Sequence, residues 1–100
     1  MKYSISILSQ AEVDIDEAYI WYELVQIDLG NKFYKNVEES VNFIANNPFS
    51  CEVMYKGIRR FIIKGFPYGI YYKENFELKE ILIIGIIHFK RSSRIIKRRL

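Results

Sequence analysis

The sequence predicts an α+β domain in the order β-α-α-β-β-β, with a helical hairpin packed on one face of a twisted, mainly antiparallel sheet. Three observations predict it. Apolar residues recur every three or four positions between residues 9 and 46, the period of a helix. From Cys51 onward the period shortens to two, that of a strand. Glycine and proline punctuate the boundaries, at Gly30, Pro48, Gly57, Gly65 and Pro67.

Residues 2–8, KYSISIL, set Tyr3, Ile5 and Ile7 on one face against Lys2, Ser4 and Ser6 on the other, as a half-buried strand does. Ser9 as a helix N-cap, with Glu12 three residues on, spells an S-x-x-E capping box. Leu8 and Val13 stand at the spacing of a hydrophobic staple around it. Asp14, Asp16 and Glu17 add negative charge near the helix start, where the dipole favours it. The stripe Ala11, Ile15, Ala18, Tyr22, Val25 and Leu29 follows, and Gly30 is placed to end it in the left-handed conformation. A second helix spans about 31–46, with Phe33, Val37, Val41 and Ile44 inward. Asn47 precedes Pro48, which disfavours helical geometry and stops the element. Two helices joined around one glycine double back as a hairpin.

The strand candidates are 53–55, 58–64, 68–74 and 80–89, separated by Lys56-Gly57, Gly65-Phe66-Pro67 and Glu74-Asn75. The last of them, EILIIGIIHF, is apolar on both parities and therefore a central strand. The tail KRSSRIIKRRL holds six positive groups and no acid. It leaves two states open, disorder or a short final helix docked through Ile95, Ile96 and Leu100.

One hundred residues fit a single domain, 1–100, with the basic C-terminal tail occupying about 90–100. Half the residues are hydrophobic and 16% are aromatic, which separates the chain from disordered segments. The lone Cys51 excludes an intrachain disulfide and points to a reduced, cytoplasmic compartment. The opening MKYSISILSQAEVDIDE does not read as a signal peptide, and ILIIGII at 81–87 is too short to span a bilayer. No membrane association is expected. Net charge is +3, but residues 1–50 carry −5 and residues 51–100 carry +8. Such halves fit a basic side facing phosphates or an acidic protein, or neutralisation of one half by the other.

One histidine and one cysteine cannot furnish a metal-ligand set, so no metal is expected. The P-loop, G-x-G-x-x-G and G-x-S-x-G patterns are all missing, which argues against nucleotide, redox-cofactor and serine-hydrolase chemistry. No cofactor is expected. What remains is a set of cations and aromatics: Arg59, Arg60, His88, Lys90 and Arg91 with Tyr68, Tyr71 and Tyr72. Arginine forks suit phosphate oxygens, and histidine titrates near neutrality. Together they meet the needs of metal-free RNA cleavage, namely a base, an acid and cationic stabilisation of the pentavalent phosphate. A hydrogen-bonded structural histidine is the plainer alternative. Adjacent arginines point to opposite faces, so at most one belongs to any single site, on the open sheet surface near His88 and Arg91. Tyr68 and Tyr72 share the parity of Phe66 and Ile70 and are core candidates, whereas Tyr71 has the opposite parity.

Several stretches in order resemble the RelE/ParE superfamily of toxins from bacterial type II toxin–antitoxin systems. SQAEVDIDEAYIWYELVQIDLGNKF is similar to the family's first helix and glycine turn, and VEESVNFIANNP to its second helix. GIRRFIIKGFPYGIYY resembles the G-x-R-R and F-P-Y-x-I-x-Y strands, and ILIIGIIHFKR the last strand with its H-x-x-R ending. The resemblance implies the RelE/ParE-like form of the fold read above. It also implies a cytoplasmic, growth-inhibiting toxin held in a hetero-oligomer by a cognate antitoxin. ParE-like members bind DNA gyrase, whereas RelE-like members cut mRNA on the ribosome without metal. The long hairpin over 9–46, and the lack of any tyrosine after Tyr72, resemble ParE more. For the RelE-like alternative the resemblance implies a catalytic set of Arg60, His88 and Arg91. For target binding it implies Arg59, Arg60, Lys90, Arg91 and Arg94. A third reading is a toxin-fold protein that only binds its antitoxin. Ser93 stands where the family has proline, a departure that leaves the tail's conformation open.

Overall fold

A computed structural model describes residues 2–99, and Leu100, assigned above to the docked tail, lies outside the described residues. The elements are β1 (Ser4–Ile7), α1 (Ser9–Val25), α2 (Leu29–Asn46), β2 (Val53–Tyr55), β3 (Ile58–Ile62), β4 (Tyr68–Asn75) and β5 (Glu80–His88). A 3-10 turn, Phe89–Arg91, then leads into α3 (Ser92–Arg99). The expected order therefore holds, with the tail folded as a helix rather than disordered. The five strands form one sheet in the order β1-β5-β4-β3-β2. β1 runs parallel to β5, and the other neighbours are antiparallel. No helix among the described residues is long and apolar enough to cross a membrane.

Each face of the sheet has its own core. The hairpin covers Tyr68, Ile70, Tyr72, Ile81, Ile83 and Ile86, and buries Ala11, Ile15, Ala18, Phe33, Val37 and Ile44 against them. The other face is not open. Ile96 of α3 is buried there against Ile58, Tyr71, Ile84 and Ile87, and Ile95 packs beside it. Clothing on both faces explains why β5 is apolar on both parities. Its alternation slips once: Tyr72 pairs with Ile83 but Tyr71 pairs with Gly85, so Ile84 is an extra, bulged residue.

Three local expectations are corrected. The capping box does not form: Leu8 is the N-cap of α1, and no side chain caps it. The Leu8 N–H is bonded to the Ile83 carbonyl, and the Leu8 carbonyl receives the Ala11 and Glu12 N–H groups. The last sheet bond of the incoming chain thus sets the helix start one residue early. The staple fails with it, since Val13 is exposed. Nor does Gly30 end the first helix. α1 stops at Val25, which is exposed, and Asp28 supplies the left-handed residue at φ 70°.

Gly30 lies instead inside the first turn of α2, where the two helices touch. A Cβ built there would sit 2.6 Å from Glu23 Cγ and 2.7 Å from the Tyr19 carbonyl oxygen. Glu23 Oε1 accepts the Gly30 N–H at 2.8 Å and the Asn31 N–H at 3.3 Å, so α1 caps α2 across the hairpin. Gly30→Ala is expected to destabilise the protein by about 1–3 kcal/mol, because the backbone oxygen cannot step aside. Chemical denaturation checks this, and an unchanged midpoint would refute the close approach.

Three tyrosines tie stability to alkaline pH. Burial pushes the hydroxyls of Tyr22, Tyr68 and Tyr72 above their ordinary value of 10.0. The unfolded chain therefore loses these protons first. Their contribution is intact below about pH 10 and declines as pH rises toward the folded values. The tyrosinate absorbance of these three residues should appear together with cooperative unfolding. A smooth titration of these residues before unfolding would contradict their burial.

Candidate functional site

β3 separates the two arginines of the G-x-R-R strand. Arg59, opposite Tyr72, is turned inward to internal partners. Its Nε donates to Glu74 Oε2 at 3.1 Å, and its Nη1 donates to the Cys51 carbonyl, with the Phe49 carbonyl at 3.4 Å. Its guanidinium also lies 5.4 Å from the centroid of the Phe49 ring. With its Nε and Nη1 engaged inside the protein, Arg59 anchors the β2–β3 corner.

Arg60, opposite Tyr71, stands on the α3 face. Its guanidinium lies over the Phe89 ring at 5.4 Å. There it borders a hollow of about 290 Å³ with Ile58, Tyr71, Ser92, Ser93 and Lys97. The Tyr71 hydroxyl is buried and has no hydrogen-bond partner among the described residues.

His88 belongs to the other side. It pairs with Tyr68 across β4–β5, the rings meeting edge-on at 5.4 Å. Its Nδ1 accepts the Lys90 N–H at 3.1 Å, so the neutral ring carries its proton on Nε2. With Lys90 and Arg91 of the 3-10 turn, His88 lines a cleft of about 860 Å³ facing Glu17, Trp21 and Tyr22 of α1. The proposed catalytic set is therefore split: His88 and Arg91 share the cleft, and Arg60 lies across the sheet. The expectation that one arginine of the pair meets His88 on an open surface is corrected on both counts. Ile84 explains it, because strict alternation from Ile83 would carry His88 to the α3 face, and the bulge returns it to the hairpin face.

Arg94 is exposed on α3 and borders a hollow of about 360 Å³ with Lys90, Arg91 and Arg98. Among the described residues no carboxylate lines it, so these cations form a basic patch.

Solved structures with this arrangement have telling names. A chain of the chromosomal ParDE TA system from P. aeruginosa superposes with a TM-score of 0.75 at 20% identity, covering 87% of this chain and 96% of that one. The free state of an arginine-to-alanine double mutant of E. coli toxin RelE gives 0.73 at 14% identity, covering all of both chains. The RelBE2 toxin–antitoxin complex from Mycobacterium tuberculosis gives 0.58 at 14% identity, covering 88% and 99%.

The fold is that of the RelE/ParE toxins.

No protein-family model matches the sequence, and no curated relative does either. The likeness is thus carried by the RelE/ParE fold itself. Within it, sequence reasoning missed an ion pair between the first and last helices. Arg99 grips Asp14 through Nη1–Oδ2 at 2.6 Å and Nη2–Oδ1 at 2.9 Å. Asp14 Oδ2 also accepts the Ile86 N–H at 3.0 Å, and Arg99 Nη1 donates to the Ile84 carbonyl at 3.1 Å. β1 ends at Ile7, opposite Ile83, so the exposed edge of β5 beyond it is satisfied by these two side chains in place of a strand. The hydrogen bond to Asp14 holds the Arg99 guanidinium protonated even more firmly than usual. The missed signal was Asp14 itself, read as a dipole charge although it follows buried Ala11 by three positions and precedes buried Ala18 by four.

Proposed function

We propose that this chain is the toxin of a type II toxin–antitoxin pair, acting in the cytoplasm and held inactive in a hetero-oligomer by a cognate antitoxin. Its fold and the names of its structural neighbours support that reading. We further propose ParE-like action, by binding DNA gyrase rather than by cutting RNA. The observation that carries this choice is that Arg60 lines the hollow on the α3 face, whereas His88 and Arg91 line the cleft on the hairpin face. Phosphoryl transfer needs its acid, base and cation within reach of one phosphate. In the proposed role, Arg60, Lys90, Arg91 and Arg94 contact the target.

One observation favours a second reading, a RelE-like ribosome-dependent mRNA endonuclease: His88, Lys90, Arg91 and Tyr68 do line one cleft. Induced expression with two readouts distinguishes them. Gyrase cleavage complexes should accumulate, and His88→Ala should remain as toxic as the parent. Cleavage of ribosome-bound mRNA that disappears in folded His88→Ala would overturn the gyrase reading in favour of the nuclease. Unimpaired growth with neither readout would leave a protein that only binds its antitoxin.

A further inference from the structure

The sheet has two edges, and they are finished differently. β2, at one edge, is three residues long, its register against β3 slips between Val53 and Tyr55, and Glu52 and Lys56 flank it. Short length, irregular register and nearby charge are the usual defences of an edge strand against joining another chain. β1, at the other edge, pairs with β5 without a register shift, and its sequence Ser-Ile-Ser-Ile holds no charge and no proline. The N–H groups of Ser4 and Leu8 go to the Lys79 and Ile83 carbonyls. By alternation Ser6 also faces β5, and the N–H and C=O groups of Ile5 and Ile7 face outward. The Tyr3 N–H, on the same side, is taken by the Ala45 carbonyl, which confines the open edge to Ile5 and Ile7.

Beside this edge a groove of about 350 Å³ is lined by Ile5, Ile7, Tyr34 and Val41, with Lys2 and Glu38. Ile7 and Tyr34 are exposed although both are large and apolar. Neither Lys2 nor Glu38 makes an ion pair among the described residues. One cation and one anion give the groove no preference for an acidic or a basic partner. They favour a surface carrying the same two charges in reverse order, which a two-fold axis makes from the groove itself.

We propose that β1 is the edge through which two copies of this chain join. The strands run antiparallel about a two-fold axis at Ser6, so that Ile5 faces Ile7 of the second copy and Ile7 faces its Ile5. Each of these pairs exchanges both backbone bonds, and the two sheets continue as one. Directly opposed residues share a face, so both hairpins lie on the same side. There Tyr34 and Val41 gain cover, and Lys2 of each copy approaches Glu38 of the other. The contact is small, and a dissociation constant on the order of 10–100 µM is expected. This inference goes beyond the toxin assignment and does not depend on it.

Sedimentation velocity of the full chain alone, from roughly 1 to 500 µM, should pass from monomer to dimer. Over the same range, amide exchange at Ile5 and Ile7 should slow as the concentration rises. Ile7→Pro removes an outward N–H without touching a bond to β5, and it should weaken the dimer about tenfold or more. Glu38→Lys sets like charges against each other and should weaken it several-fold, whereas Lys2→Glu/Glu38→Lys exchanges the signs and should restore it. Circular dichroism verifies that each variant is folded, and the charge exchange decides the matter should Ile7→Pro not fold. A chain that stays monomeric throughout leaves the edge to a strand of a different protein and overturns the proposal. A dimer whose Ile5 and Ile7 amides exchange as fast as the monomer's, or one that the charge exchange fails to restore, overturns it as well.

Discussion

Asp14→Ala should destabilise the protein by about 3 kcal/mol, far more than a typical surface acid. The Asp14 and Arg99 side chains are only 16% and 13% exposed, so salt screens the pair weakly. Removing the carboxylate leaves the Arg99 guanidinium poorly compensated and the Ile86 N–H without its acceptor. It also frees the end of α3 from α1. The companion variant Asp14→Ala/Arg99→Leu removes both charges and should be less destabilised than Asp14→Ala alone, since an unpaired buried charge costs more than no charge. Urea denaturation of the two variants tests this. A loss below about 1 kcal/mol in Asp14→Ala would reduce the pair to an ordinary surface contact.

Phe33→Ala is the second large effect, at about 4 kcal/mol. Phe33 is fully buried at the junction of the hairpin and the sheet. Its ring lies 5.1 Å from Phe66, 5.3 Å from Tyr68 and 5.4 Å from Tyr22, in edge-on and tilted geometries. Truncation removes those contacts and opens a cavity that three other rings cannot collapse to fill. Domains of this size hold about 5–15 kcal/mol in total, so this variant should melt well below the parent, by roughly 15 °C or more. Phe33→Leu should recover most of the loss. An Ala variant with a melting point near the parent's would mean the cluster does not hold the hairpin down.

The elements were legible because their signals are local. Period, turn residues and Asn47-Pro48 located both helices and every strand within a few residues. Parity also assigned Tyr68 and Tyr72 to one face and Tyr71 to the other. What escaped the reading is non-local. Ser9 looks like a cap until the sheet claims the Leu8 N–H, and Gly30 looks like a helix end until α1 is seen to lie against it. The site failed for a related reason. A single bulged residue, Ile84, carries no sequence mark within ILIIGII, yet it decides which face His88 occupies. For the tail, Ile95 and Ile96 offer the docking contact in the sequence, but a composition dominated by arginine and lysine does not select it over disorder.

The parallel pairing of β1 with β5 has a consequence in time. Ser4 meets Glu80, so β1 has no partner until the residues from Glu80 onward have been made. Contacts this distant in sequence carry a loop-closure penalty before they return any stability, and such topologies fold slowly. On a translating ribosome, at about 5–20 residues per second, the hairpin forms seconds before the sheet can close. For that interval the buried face of Ala11, Ile15, Phe33 and Val37 has nothing to cover it. Only when β5 has been made and the sheet has closed does that apolar face find its cover.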